Sequence, residues 1–393
     1  MFLVYVFGIL ALIIALALIS VSFLLDSQIK RKLYKILTFI DLGIIVLMIG
    51  GFAIRAEIPN FIVDAFGSFS TVFLMTQFIC GIIVVVALIV RTVYRKFNKP
   101  TPYSPERRRV LAYGLVYPLM SLAVSLYGNR IERLGTVNRF FDIPVKKLPP
   151  TLDGFTIAQI SDVHLGPYFS LERLELVLNQ IVDEKPDLLA ITGDIFDNVR
   201  MNPAAIKLVD NFTHKFKHGI YYCHGNHEHH RGIKAIETEL RQTKIHWLVN
   251  RSEKVEGTEN LYILGVDYPS SSPIMSSGGR GDLDEKFFEQ KREFVTKALE
   301  GVPYDSVCIL LAHHPEFIDN GAEKNIPLTL TGHTHGGQVG IFGHSLLPLF
   351  KYTRGMVVND DSYGYVNPGL GSWFPFRLGC PPEITYFTFR SKQ

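Results

Sequence analysis

The segment Phe155-Thr156-Ile157-Ala158-Gln159-Ile160-Ser161-Asp162-Val163-His164 decides how this chain is read. Residues 155–161 form an apolar run of strand length that ends in a carboxylate and an imidazole. In extended backbone alternate residues share a face, so Asp162 and His164 can reach one metal together. The same construction recurs downstream. A strand at 187–192 runs into Gly193-Asp194-Ile195-Phe196-Asp197, and one at 220–223 into His224-Gly225-Asn226-His227-Glu228. Strands at 307–312 and 328–331 run into His313-His314-Pro315 and Gly332-His333-Thr334-His335-Gly336-Gly337, the second again with alternating histidines. A further strand is expected at 261–266. The glycines let the backbone turn sharply beside these side chains.

Between the strands the period changes. Ser170 can cap a helix whose Leu171, Leu174, Leu178 and Ile181 mark one face. Further helices are expected near 203–215, 232–241 and 284–299. Alternating strands and helices predict an α/β sheet with its chemistry on loops at strand ends. Residues 154–393, about 240 in number, are ample for one core. Residues 130–153 are read as a linker, because 140–150 contains Pro144, Pro149 and Pro150 and no helical period.

Residues 1–129 have a different composition, and all 13 histidines lie beyond them. Residues 1–25 carry no charge and as a helix span about 37 Å, enough for a bilayer core of about 30 Å. Residues 36–54, 65–90 and 110–128 supply three more candidate spans, the last containing Pro118. A four-helix transmembrane bundle is therefore expected. Asp41 is read as a helix-end or paired carboxylate in preference to an ion-handling one. Lys30, Arg31, Lys32 and Lys35 crowd the first loop, and Arg91, Arg95, Lys96, Lys99, Arg107, Arg108 and Arg109 the third. These loops should stay cytoplasmic, which places the C-terminal domain outside. The basic residues Arg130, Arg133, Arg139, Lys146 and Lys147 run against that assignment. A net charge of +3 gives no reason to expect nucleic acid as a partner. The four cysteines have no CxxC spacing, and Cys80, Cys223 and Cys308 are expected to be buried as small apolar side chains.

Asp162, His164, Asp194, Asn226, His313, His333 and His335 make a mixed oxygen and imidazole set with no thiolate. Such ligands suit Mn, Fe or Zn better than Mg or Ca. A carboxylate shared between two divalent ions holds them about 3.5–4 Å apart, where both stabilise in-line displacement at phosphorus. A hydroxide bridging such ions forms near neutral pH and attacks the ester. His224, His229, His230 and His314 are expected at outer or rim positions.

The motifs DVH, GDIFD, GNHE, HHP and GHTHGG together resemble the calcineurin-like metallophosphoesterase superfamily, and their spacing its YkuE/YaeI-type branch. The similarity covers about residues 154–389 (roughly one domain), and the multi-span anchor is similar to transmembrane proteins with a metallophosphoesterase domain. The resemblance implies a four-layer α/β/β/α sandwich. It further implies that Asp162, His164 and His335 hold one metal, that Asn226, His313 and His333 hold a second, and that Asp194 bridges them. His227 would stand beside the metals, oriented by Asp197, to stabilise phosphoryl oxygens or protonate the leaving group.

The expected protein is thus a multi-pass hydrolase of a bacterial inner or plasma membrane with an extracytoplasmic catalytic domain. Tethering to a lipid bilayer favours a phosphodiester or pyrophosphate of a lipid-linked substrate. Leu346, Leu347, Leu349, Phe350, Trp373, Phe374 and Phe376 could line an apolar groove or pack in the core. A soluble phosphoester, or a metal-binding membrane sensor or scaffold without turnover, are the alternatives.

Overall fold

The computed structural model describes residues 11–21, 27–54, 58–97, 116–269, 285–341, 343–346 and 350–392, with residues 27–31 and 48–54 described in backbone only. The chain divides into two compact units. One is Met1–Ile131 with Phe374–Phe376, and the other is Glu132–Trp373 with Arg377–Gln393.

The first unit is helical, with helices Ala11–Val21, Ser27–Ile54, Asn60–Phe97 and Val116–Leu126. Among the described residues one helix, Asn60–Phe97, is long and apolar enough to cross a bilayer. The expected span 36–54 falls inside Ser27–Ile54. Parts of the spans expected at 1–25 and 110–128 lie outside the described residues. Asp41 is buried and accepts a hydrogen bond from Gln77 of the neighbouring helix at 2.9 Å.

The second unit opens with β1 (Val137–Lys146), β2 (Thr156–Ile160), β3 (Leu188–Thr192), β4 (Ile220–Cys223) and β5 (His246–Trp247). It continues through β6 (Arg251–Lys254), β7 (Leu261–Gly265), β8 (Val307–Leu311) and β9 (Leu328–Thr331). A short hairpin β10 (Gly340–Ile341) and β11 (His344–Ser345) precedes β12 (Gly355–Asn359), β13 (Ser362–Val366) and β14 (Glu383–Lys392). Two six-stranded sheets result, ordered β1-β14-β2-β3-β4-β5 and β12-β13-β9-β8-β7-β6.

Strand periodicity builds the layers. Ile157, Ala190, Ile263, Ile309, Leu330 and Phe387 meet in a core between the sheets. Their neighbours point the other way: Ala158 and Ile191 meet helices Leu171–Asp183 and Asn202–Thr213, while Leu264 and Leu310 meet Val295 of helix Glu285–Ala298. The order is helix, sheet, sheet, helix.

The linker expected at 130–153 needs correction. It is extended, but residues 137–146 are a strand of the first sheet, paired in parallel from Val137↔Glu383 to Lys146↔Lys392. Two effects explain this. Ile143 and Val145 alternate into the inter-sheet core and are 0% and 2% exposed, so the segment has a face to bury. β1 is also an edge strand, where Pro144 needs no N–H for a further partner.

Candidate metal centre

Backbone hydrogen bonds tie the loop after β2 to the loop after β3, and the loop after β8 to the loop after β9. Asp162 N donates to Gly193 O at 3.1 Å and His164 N to Asp194 O at 2.9 Å. Gly332 N donates to His313 O at 3.0 Å. Contact runs between sheets as well, since His313 Nδ1 lies 2.7 Å from Thr192 O and Gln159 Nε2 donates to Thr331 O at 2.9 Å. Gly193, at φ +84°, is where the β3 loop turns, and a Cβ there would lie 2.6 Å from Gly225 N.

The alternating ligands do not converge on extended backbone as the sequence suggested. Asp162 (φ 50°), His164 (48°), Asp194 (54°), His333 (74°) and His335 (51°) are all left-handed. Each such residue costs about 1–3 kcal/mol when it is not glycine. The strands have ended, and the left-handed turns aim the side chains inward.

Six of the expected ligands gather in two clusters of donor atoms, Asp162, His164 and His335, and Asp194, His313 and His333, and a third group, His164, Asp194 and His227, bridges them. In the first, His164 Nε2 and His335 Nε2 are 2.9 Å apart, with Asp162 Oδ1 3.4 Å from the latter. In the second, His333 Nδ1 and His313 Nε2 are 3.2 Å apart, and Asp194 Oδ2 is 3.2 Å from His313 Nε2. Asp194 Oδ2 is also 3.6 Å from His164 Nε2, so it faces both clusters, while Asp194 Oδ1 accepts His227 N at 2.9 Å. Asn226 Oδ1 is buried and has no hydrogen-bond partner among the described residues. Its neighbour in the chain, His227, donates its N–H to Asp194, and a buried amide oxygen without a partner fits divalent cations with mixed N/O ligation.

Electrostatics divide the histidines. Burial opposes charge on His313, yet Asp194 and Asp162 outweigh it and push His313 up to about 10. Burial and the adjacent His313 push His333 down to about 3. His227 Nδ1 stands 2.9 Å from Asp197 Oδ1 with its side chain 30% exposed. Burial works against its charge too, but Asp194 and Asp197 push His227 up to about 9. Asp197 is shared, since its Oδ2 is 3.1 Å from His164 Nδ1 and its Oδ1 accepts Arg231 Nε at 2.7 Å.

The remaining histidines are not members of these two clusters, and His224, His229 and Asp267 form a further group of donor atoms. His224 Nε2 accepts from Trp247 Nε1 at 2.7 Å, so its proton sits on Nδ1 and points to Asp267 Oδ1 at 3.3 Å. His229 reaches the same oxygen at 2.9 Å. His314 is buried between Phe287 and His333, with ring centroids 4.9 and 5.3 Å away. All four cysteines are buried and unbridged. Leu347 and Leu349 lie outside the described residues, Leu346 is exposed and Phe376 is buried.

Sequence reasoning assigned no role to two organising residues. Glu228, fully buried, accepts from the backbone N–H groups of Asp194, Ile195, Phe196 and Gly225 at 2.9–3.0 Å. Its position after Asn226-His227 was the available signal. Arg377, also fully buried, donates to Pro368 O at 2.8 Å and Cys380 O at 3.0 Å, and stands 3.5 Å from His335 Nδ1. No local pattern marks it. Glu228→Ala leaves those N–H groups unpaired and should lower unfolding stability by about 3 kcal/mol or more. A denaturation midpoint matching wild type would show that the carboxylate holds nothing in place.

The family model described as calcineurin-like phosphoesterase matches residues 155–344. Over 264 residues the chain is 32% identical to YkuE of Bacillus subtilis, named an uncharacterized metallophosphoesterase, covering 62% of this chain and 82% of that one. A metallophosphoesterase of Aquifex aeolicus is 33% identical over 256 residues, covering 64% of this chain and 91% of its own length. A Danio rerio transmembrane protein with metallophosphoesterase domain is 30% identical over 258 residues, 62% of this chain. The chain spans about half of that longer relative, 55%.

Proposed function

Because the chain belongs to the calcineurin-like metallophosphoesterase family, and so is a metal-dependent phosphoester hydrolase, we propose that two divalent ions bind at the clusters described above and act on a phosphodiester or pyrophosphate. Asp162, His164 and His335 would hold one ion, Asn226, His313 and His333 the other, with Asp194 shared. The carrying observation is Asp194, whose Oδ2 faces both clusters while its Oδ1 is tied to His227 N. Such ions would supply Lewis-acid charge for the ester oxygens and for a water's proton loss, and Mn, Fe or Zn would suit these donors.

The chain's own groups do the rest. Glu228 fixes the backbone that presents Asp194, and Asp197 holds His164 and His227 in register. His227, braced by Asp197 with its Nδ1 2.9 Å from Oδ1, would give a proton to the departing oxygen. That pair favours turnover over a metal-binding scaffold. Purified full-length protein stripped with chelator should lose hydrolysis of bis(4-nitrophenyl) phosphate and regain it with Mn²⁺. Hydrolysis that survives complete metal removal would refute this reading.

We further propose that residues 1–129 anchor the hydrolase, residues 154–393, in a membrane through several spans, and that the substrate is lipid-linked. Helix Asn60–Phe97 supports a crossing. Phe61, Phe69, Ile89 and Val90 on that helix are 58–74% exposed, an apolar surface that lipid covers and water does not. The basic loops support a catalytic domain on the outside of a bacterial plasma membrane, with Arg130, Arg133 and Arg139 running against it. Protease added to intact spheroplasts should cleave the catalytic domain. Full protection until lysis would reverse the orientation.

A further inference from the structure

Each metal-ligand cluster is flanked by aromatic rings that the chemistry above does not use. Beside the first, the Trp373 ring lies 4.9 Å from His335, centroid to centroid, and stays 37% exposed. Its main chain is pinned, because Trp373 N donates to Gln338 Oε1 at 2.6 Å. Beside the second, Phe350 meets His333 edge-on at 5.1 Å and Tyr268 lies 5.5 Å from the same ring. Both are half-buried. The neighbouring arginines are committed elsewhere, Arg231 to Asp197, Arg377 to backbone carbonyls and Arg354 to Gly379 O at 3.0 Å.

We propose that the site selects a phosphodiester with an apolar substituent on each side, one against Trp373 and the other against Phe350 and Tyr268. The proposal rests on the metallophosphoesterase reading and deepens it. A monoester has one organic group and would leave one aromatic face in water. A diester covers both, and a flat substituent gains most because every face it meets is a ring. In the reaction water adds to phosphorus, one ester P–O bond breaks and the leaving oxygen takes a proton. The product monoester keeps one apolar group and loses half of its hold on the site, which favours release.

The test uses metal-loaded full-length protein and three esters with one leaving group: bis(4-nitrophenyl) phosphate, methyl 4-nitrophenyl phosphate and 4-nitrophenyl phosphate. kcat/KM for the bis-aryl diester should exceed that for the methyl diester at least about tenfold, the scale of one aromatic stack, and should exceed the monoester by more. Trp373→Ala should shrink the bis-aryl to methyl ratio to a third or less, and Trp373→Phe should restore most of it. A wild-type ratio near one, or the same ratio in wild type and Trp373→Ala, overturns the proposal while leaving hydrolysis intact. Release of nitrophenolate from none of the three would instead bring down the hydrolase reading beneath it. A short-chain phosphatidylglycerol below its micelle concentration separates sources through the variant: a loss of its turnover in Trp373→Ala as large as the loss for the bis-aryl ester identifies acyl chains as the apolar groups, and turnover equal to wild type identifies flat rings.

Discussion

Asp194→Ala should abolish turnover. We expect kcat/KM for bis(4-nitrophenyl) phosphate to fall by more than about 10³-fold, since removing even one electrostatic partner of a developing oxyanion costs about 10²–10³-fold. Asp194 bears on more than one, because the cations it would hold are the partners of that charge. Its Oδ2 lies 3.2 Å from His313 and 3.6 Å from His164, so its loss removes a donor from both clusters. Bound metal, measured by elemental analysis, should fall below that of wild type in the same preparation. Asp194→Asn keeps the shape but halves the oxygen donors and removes the charge, and should lie between the two. Wild-type activity in the alanine variant, with metal content unchanged, would mean that chemistry occurs elsewhere.

The second large effect belongs to His227 and depends on the leaving group. His227→Ala should lower kcat by about 10²–10⁴-fold for an alkyl diester, whose departing alkoxide needs a proton. The loss should be far smaller for a nitrophenyl ester, whose leaving oxygen is stable as an anion. Metal content should not change, because the group that braces His227, Asp197, also holds His164 and remains in place. Equal losses on both esters would show that His227 stabilises the phosphoryl oxygens instead of delivering a proton. No loss on either would remove it from the mechanism.

Much of the sheet architecture was legible because strand and core are local patterns. The apolar runs at 155–161, 187–192 and 328–331 predicted β2, β3 and β9 within a residue or two. Ser170 caps its helix as expected, accepting from Arg173 N at 3.3 Å. β1 was not legible, because its three-proline neighbourhood reads as connector and the strand that accepts it, β14, lies over two hundred residues away. A parallel edge pairing of that kind has no short-range signature. Glu228 and Arg377 were missed for a related reason. Their partners are backbone groups of other loops, which a sequence does not display.

The sequence alone determined which side chains stand at the end of which strand, because hydrophobic periodicity and the residues that interrupt it are written along the chain. It also determined the donor chemistry, oxygen and imidazole without thiolate. Only the tertiary structure decided that these side chains meet, and how. Five of them turn inward through left-handed backbone that local propensity disfavours, so long-range packing of two sheets must hold them there. The same packing set the aromatic rings beside the two clusters, where distance in space and not in sequence decides what a substrate would touch.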